Sequence, residues 1–90
     1  MISVCQIRAA RALLGWSAQD LANESGVGVA TIRRYELQEG IPSANAKSLA
    51  QIESSFVKVG IEFTGDPLVN PGVTLNIKRR VIPLDDASES

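Results

Sequence analysis

The sequence predicts a mainly α fold: a compact domain of four helices with a short C-terminal extension capable of forming a β-hairpin. Three observations point there. Residues 18–36, AQDLANESGVGVATIRRYE, place two short segments with apolar marks on either side of Gly26. Residues 3–14 and 43–59 carry apolar side chains three and four apart, the spacing of one helix face. Beyond Gly60 this spacing gives way to two short apolar runs, Ile61 to Thr64 and Val73 to Ile77. Gly65-Asp66-Pro67 and Asn70-Pro71-Gly72 supply turns between them. These changes divide the chain into residues 1–60, a packing or dimerisation extension at 61–82, and an acidic tail at 83–90 expected to be flexible.

A chain of 90 residues makes one small domain, and its 44% hydrophobic content supports a core. There is little room for a second catalytic or ligand-sensing domain. The formal net charge of -1 excludes a generally basic coat for nucleic acid, although a local positive face remains compatible with it. Cys5 is the single cysteine, so the chain cannot form an internal disulfide or a cysteine-rich metal site. Histidine is absent. The opening residues lack a charged region followed by a long apolar run, and no stretch reads as a membrane span. A cytoplasmic protein with no cofactor is the expectation.

Helix one is expected over residues 3–14, with Ser3 as N-cap. Ile7, Ala10, Arg11 and Leu14 share one face, and Ala9, Ala10 and Ala12 favour helix without filling space. Gly15 ends the segment. Trp16 is expected to close the following loop against the core. Cys5 reads as a small, half-buried side chain with no redox partner. Ser17 caps helix two, and Asp20 places a favourable charge in its first turn. Leu21 and Ala22 mark the buried face, Ala22 being small where another helix must cross closely. Gly26 can adopt a left-handed conformation and break the helix. Val27 and Ile32 mark the next buried face. This arrangement suits a helix-turn-helix, although an ordinary helical hairpin shares the spacing.

The stretch LGWSAQDLANESGVGVATIRRYE resembles the Cro and C1 repressor type of helix-turn-helix, the Xre family. The matching marks are Leu14 and Gly15, Leu21 and Ala22, Gly26 and Val27, Thr31 and Ile32, and Glu36, within a resemblance that spans about residues 5–60. It implies a compact helical module that binds double-stranded DNA, commonly as a homodimer on paired half-sites. It also implies that Arg11 pairs with Glu36 at the end of the recognition helix, which would lock helix one to helix three. The chain departs from the family at two places. Ala18 stands where a glutamine often follows the helix-two cap, with Gln19 one residue later; one residue turns a helix by about 100°, so Gln19 replaces that contact only if the helix rotates. No fifth helix is evident after Gly60.

Helix three, from Gly28 to about Leu37, is the candidate reader of the major groove. Gly28 stands where Ser or Thr would cap better, and is either a point of close backbone approach to a phosphate or merely neutral. Val29 and Ala30, expected on the first outward turn, suit thymine methyl groups. Thr31 can reach a phosphate or bond back to its own helix. Arg33 and Arg34 are the strongest polar candidates, one for the N7 and O6 of guanine and the other for phosphate, with a solvated helix face as the competing reading. Tyr35 suits either the core or the DNA backbone. The amide groups near Gln19 and Asp20, and Lys47 with the amides near Ser43, are candidates for flanking phosphates.

Gly40 permits a turn in the connector LQEGIP, Pro42 delays the next helix, and Ser43 can start helix four. Ala46, Leu49, Ile52, Phe56 and Val59 form its stripe, and Gly60 ends it. Ile61, Phe63, Val73, Leu75 and Ile77 can leave one face dry for a second copy or fold back on their own domain. Lys78, Arg79 and Arg80 form a basic cluster able to reach DNA or remain solvated, whereas Asp85, Asp86 and Glu89 make the end acidic.

An enzyme is the first competing class, but the chain offers neither histidine nor a metal-ligand cluster nor a phosphate-cradling glycine loop. A protein-interaction module is the stronger rival. An antitoxin, binding both its promoter and a toxin as protein partner, would combine the two. Repression is the simpler regulatory expectation, because a short chain can block a promoter without an activating domain.

Overall fold

The computed structural model describes residues 1–77. Four helices come first: α1 (Val4–Leu14), α2 (Ala18–Ser25), α3 (Val29–Glu36) and α4 (Ala46–Lys58). Strands β1 (Ile61–Thr64) and β2 (Gly72–Leu75) then form an antiparallel hairpin, with Glu62 opposite Thr74 and Phe63 opposite Val73. The fold is therefore mainly α with four helices and a short β-hairpin. No helix among the described residues is long and apolar enough to cross a membrane.

Local chemistry fixes the first two helices. Ser3 caps α1 in a reciprocal box: its hydroxyl accepts from the Gln6 amide, and the Gln6 side chain accepts from the Ser3 amide. Ser17 and Asp20 repeat this arrangement at α2. Each box satisfies amide groups that have no carbonyl partner within the helix. Asn45, rather than Ser43, caps α4 by accepting from the amides of Lys47 and Ser48. Ser43 instead belongs to the connector, where its amide donates to the Gln38 side chain. The later start leaves Ala46 exposed, so the buried α4 stripe is Leu49, Ile52 and Phe56 rather than one beginning at Ala46.

The core joins every helix. Ile7 and Ala10 from α1 meet Leu21 and Ala22 from α2, Ile32 and Tyr35 from α3, and Leu49, Ile52 and Phe56 from α4. Phe56 is fully buried, stacked on Trp16 at 5.7 Å between ring centroids and edge-on to Phe63 at 5.9 Å. Trp16 thus closes its loop against the core, and Tyr35 packs inward. Cys5 lies exposed instead of half-buried.

The hairpin is folded back on the helices. Ile61 is buried, and Phe63, Val73 and Leu75 pack against the core, leaving Ile77 exposed. Of the apolar residues that could have formed a dry face for a second copy, four are engaged within their own chain. Gln6 binds the hairpin from below: its side-chain amide donates to the carbonyls of Thr64 at 3.3 Å and Gly72 at 3.0 Å. A two-stranded ribbon is marginal alone, so these contacts supply what the strands lack. β2 covers Gly72 to Leu75 rather than Val73 to Ile77. The Lys78 to Arg80 cluster and the acidic Asp85, Asp86 and Glu89 lie outside the described residues.

Candidate nucleic-acid interface

The turn between α2 and α3 aims the candidate reading helix. Gly26 ends α2 at φ 79°, and its amide donates to the Ala22 carbonyl at 2.9 Å. The Val27 amide then donates to the buried Ser25 hydroxyl at 3.1 Å, while the Val27 side chain enters the core. Ala22, only 8% exposed, leaves room for the close α2–α3 crossing. Gly26, the Ser25 hydroxyl and the buried Val27 side chain thus hold the turn from which α3 leaves α2.

Ile32 and Tyr35 anchor the inner face of α3. Ala30, Arg33, Arg34 and Leu37 are exposed, and Thr31 is half-exposed. Val29, expected to face outward, is half-buried against the core, because it points about 100° around the helix from the outward Ala30. Residues four apart lie nearly in line on a helix. Ala30 and Arg34 therefore form one outward line, and Arg33 and Leu37 form a second line beside it. Gly28 precedes α3 in extended geometry and makes no side-chain cap. The Arg34 guanidinium carbon lies 5.6 Å from the Tyr35 ring centroid.

The structure brings Arg11 and Glu36 together. Arg11 Nε donates to Glu36 Oε2 at 2.8 Å, and Nη2 donates to Oε1 at 2.7 Å. Nη1 donates to the Trp16 carbonyl at 2.9 Å. One guanidinium thus joins α1, the α1–α2 loop and the end of α3. The hydrogen bond to Glu36 holds the Arg11 pKa above the ordinary arginine value; burial opposes this and the Glu36 charge adds to it. Arg8, Arg11, Arg33, Glu36 and Leu37 line a shallow cleft beside α3.

The flanking candidates do not converge equally. Gln19 is exposed, but its side-chain amide donates to Asn23 on the same helix. Ala18 before it packs against the core. The Asp20 amide is occupied by Ser17, and the Lys47 and Ser48 amides by Asn45. The Lys47 side chain remains exposed at the start of α4. Sequence reasoning did not single out Arg8, whose place beside α3 depends on how α1 crosses it.

A family model described as Helix-turn-helix matches residues 7–53, just over half of the chain. No curated protein and no solved structure matches it. The family match covers most of α1, all of α2, the turn and α3, and most of α4, the elements that aim and anchor the outward face of α3. The chain belongs to the helix-turn-helix family in its Cro/C1, or Xre, form, and is a small non-enzymatic regulator that binds DNA by sequence.

Proposed function

We propose that the chain is a cytoplasmic transcriptional repressor that reads the major groove with residues 28–37 and works as a homodimer on duplex DNA. The observation that carries this reading is the outward line of Ala30 and Arg34 on a helix fixed from behind by Ile32, Tyr35 and the Arg11–Glu36 pair. Arg34 is the base reader, because a guanidinium matches the paired acceptors of guanine. Ala30, one turn earlier, is small enough to let the helix sit deep and to touch a thymine methyl. Arg33 lies to one side and suits a backbone phosphate. Gly28 and Thr31 lie at the helix entrance, and Lys47 and Gln19 are contacts of lesser weight; Val29 supports the helix more than it reads.

Separate Arg34→Ala and Arg33→Ala substitutions test this assignment against a duplex selected by the full chain from a random pool and against a shuffled duplex. Arg34→Ala should lose about 1–3 kcal/mol on the selected duplex and much less on the shuffled one. Arg33→Ala should weaken both alike. Unchanged binding by both variants would remove α3 as the reader. Repression itself is tested by transcription from a promoter overlapping the selected site, where added protein should lower the transcript level.

A further inference from the structure

We infer that Arg8 and Arg33 form a two-guanidinium clamp for one backbone phosphate of the duplex, placed where the end of α3 passes α1. The inference rests on the reading of α3 as the groove helix and adds a contact from a different helix. Arg8 is exposed on α1, one turn before Arg11. It lines the same cleft as Arg33, Arg11, Glu36 and Leu37. The one carboxylate among those five residues is already held by Arg11 through two hydrogen bonds. Neither Arg8 nor Arg33 makes an ion pair among the described residues. Three guanidinium groups and one neutralised carboxylate therefore leave a local surplus of positive charge on a chain whose net charge is -1. Such a surplus favours an anion and is unfavourable without one, since like charges repel.

The geometry selects a phosphodiester over a base edge. Arg33 lies on the flank of the exposed face that borders α1, about 100° around the helix from Arg34, so a groove that receives Ala30 and Arg34 brings its backbone along that flank. Guanidinium forks match phosphate oxygens in pairs. Arg11, fixed by Glu36 and the Trp16 carbonyl, forms the rigid floor and keeps α1 at a constant distance from α3. The clamp consequently sets how far α3 turns in the groove and carries no sequence information itself.

The test measures Arg8→Ala, Arg8→Lys and Arg34→Ala in the full chain, on the selected and the shuffled duplex, across a salt series. Arg8→Ala should weaken both duplexes by the same factor and reduce the slope of log K against log salt by about 0.9, the share of one phosphate contact. Arg8→Lys should keep the slope. Thermal melting should be unchanged for both, which separates the clamp from a structural role. A scan of single uncharged methylphosphonate linkages identifies the phosphate: one position should weaken the wild type but leave Arg8→Ala unaffected. Inorganic phosphate at the concentration of DNA phosphate should not protect the wild type from this loss. An unchanged affinity and slope in Arg8→Ala, with Arg34→Ala still selective, would overturn the clamp and leave the α3 reading standing. A silent Arg34→Ala with a uniform loss in Arg8→Ala would overturn the base assignment and keep the clamp.

Discussion

Arg11 joins three parts of the chain that are far apart in sequence. Its side chain is 21% exposed and that of Glu36 is 12% exposed, so solvent screens the pair only weakly. Removing one partner leaves the other charge nearly buried. Arg11→Ala should therefore destabilise the fold by up to about 3 kcal/mol, the low end for orphaning a buried charge. A double-mutant cycle with Glu36→Gln should show coupling, and additive melting shifts would deny it. The raised Arg11 pKa fixes the sign of the pH response. Its contribution is fully present below the value of unfolded arginine and is lost only as pH climbs through the raised folded value. The Arg11 contribution should thus stay constant across the neutral range, which melting curves over that range would check.

The two partners of this pair could be named from family resemblance, but Gln6 could not be given its role. The spacing Ser3-Val4-Cys5-Gln6 does spell a capping box, a legible local signal. Its second task involves carbonyls at Thr64 and Gly72, which no local pattern connects to α1. Gln6→Glu keeps a side-chain oxygen to accept from the Ser3 amide and removes the donor that holds the hairpin. It also turns an oxygen toward two carbonyl oxygens. It should destabilise by roughly 1–3 kcal/mol, the range for an unsatisfied buried polar group, and amide exchange should accelerate first in Phe63 and Val73. Equal protection in the variant and the wild type would remove Gln6 as the hairpin tether.

At the scale of elements, α2 and α3 depend on one left-handed residue. Gly26 at φ 79° closes α2 and starts the turn toward Val27. A Cβ there would have space, its nearest neighbour being the Gln51 side-chain nitrogen at 3.8 Å, so the penalty is conformational rather than steric. Gly26→Ala should cost about 1–2 kcal/mol, the penalty of an L side chain in that region. DNA binding by the fraction still folded should remain, because the exposed side chains of α3 are untouched. Gly65 differs: at φ 73° its Cβ would also run into the Asn70 carbonyl, so both space and conformation exclude a side chain. The α2–turn–α3 unit was legible because its caps, its breaker and its apolar marks are all local. The start of α4 was less so. Ser43 and Asn45 are both good caps, and the choice falls to Asn45 because Gln38 holds the Ser43 backbone in the connector. Val29 is half-buried where the pattern alone places it outward beside Ala30, since consecutive helix residues point about 100° apart.

For the whole molecule, the size of α3 argues for two copies. Eight residues of helix span about 12 Å, enough for a few base pairs. Two α3 helices related by a twofold axis can enter successive major-groove segments about 34 Å apart and multiply the selectivity of one. The folded-back hairpin narrows where such copies can meet. Ile61, Phe63, Val73 and Leu75 belong to the core of their own chain, so deleting residues 61–77 would test folding rather than assembly. Val57 on the outer side of α4 and Ile77 at the end of the hairpin are 56% and 64% exposed, and each can be changed without opening that core. Sedimentation with a full selected site should give two chains per duplex, and footprinting should show two protected segments with matching symmetry. A half-site should hold one chain with much lower affinity. One chain on the full site with an asymmetric footprint would reject the dimer. Val57→Asp and Ile77→Asp should leave melting nearly unchanged, and whichever abolishes the two-chain complex places the contact on α4 or at the hairpin end. That variant should retain half-site binding, because its α3 and its arginines are those of the wild type.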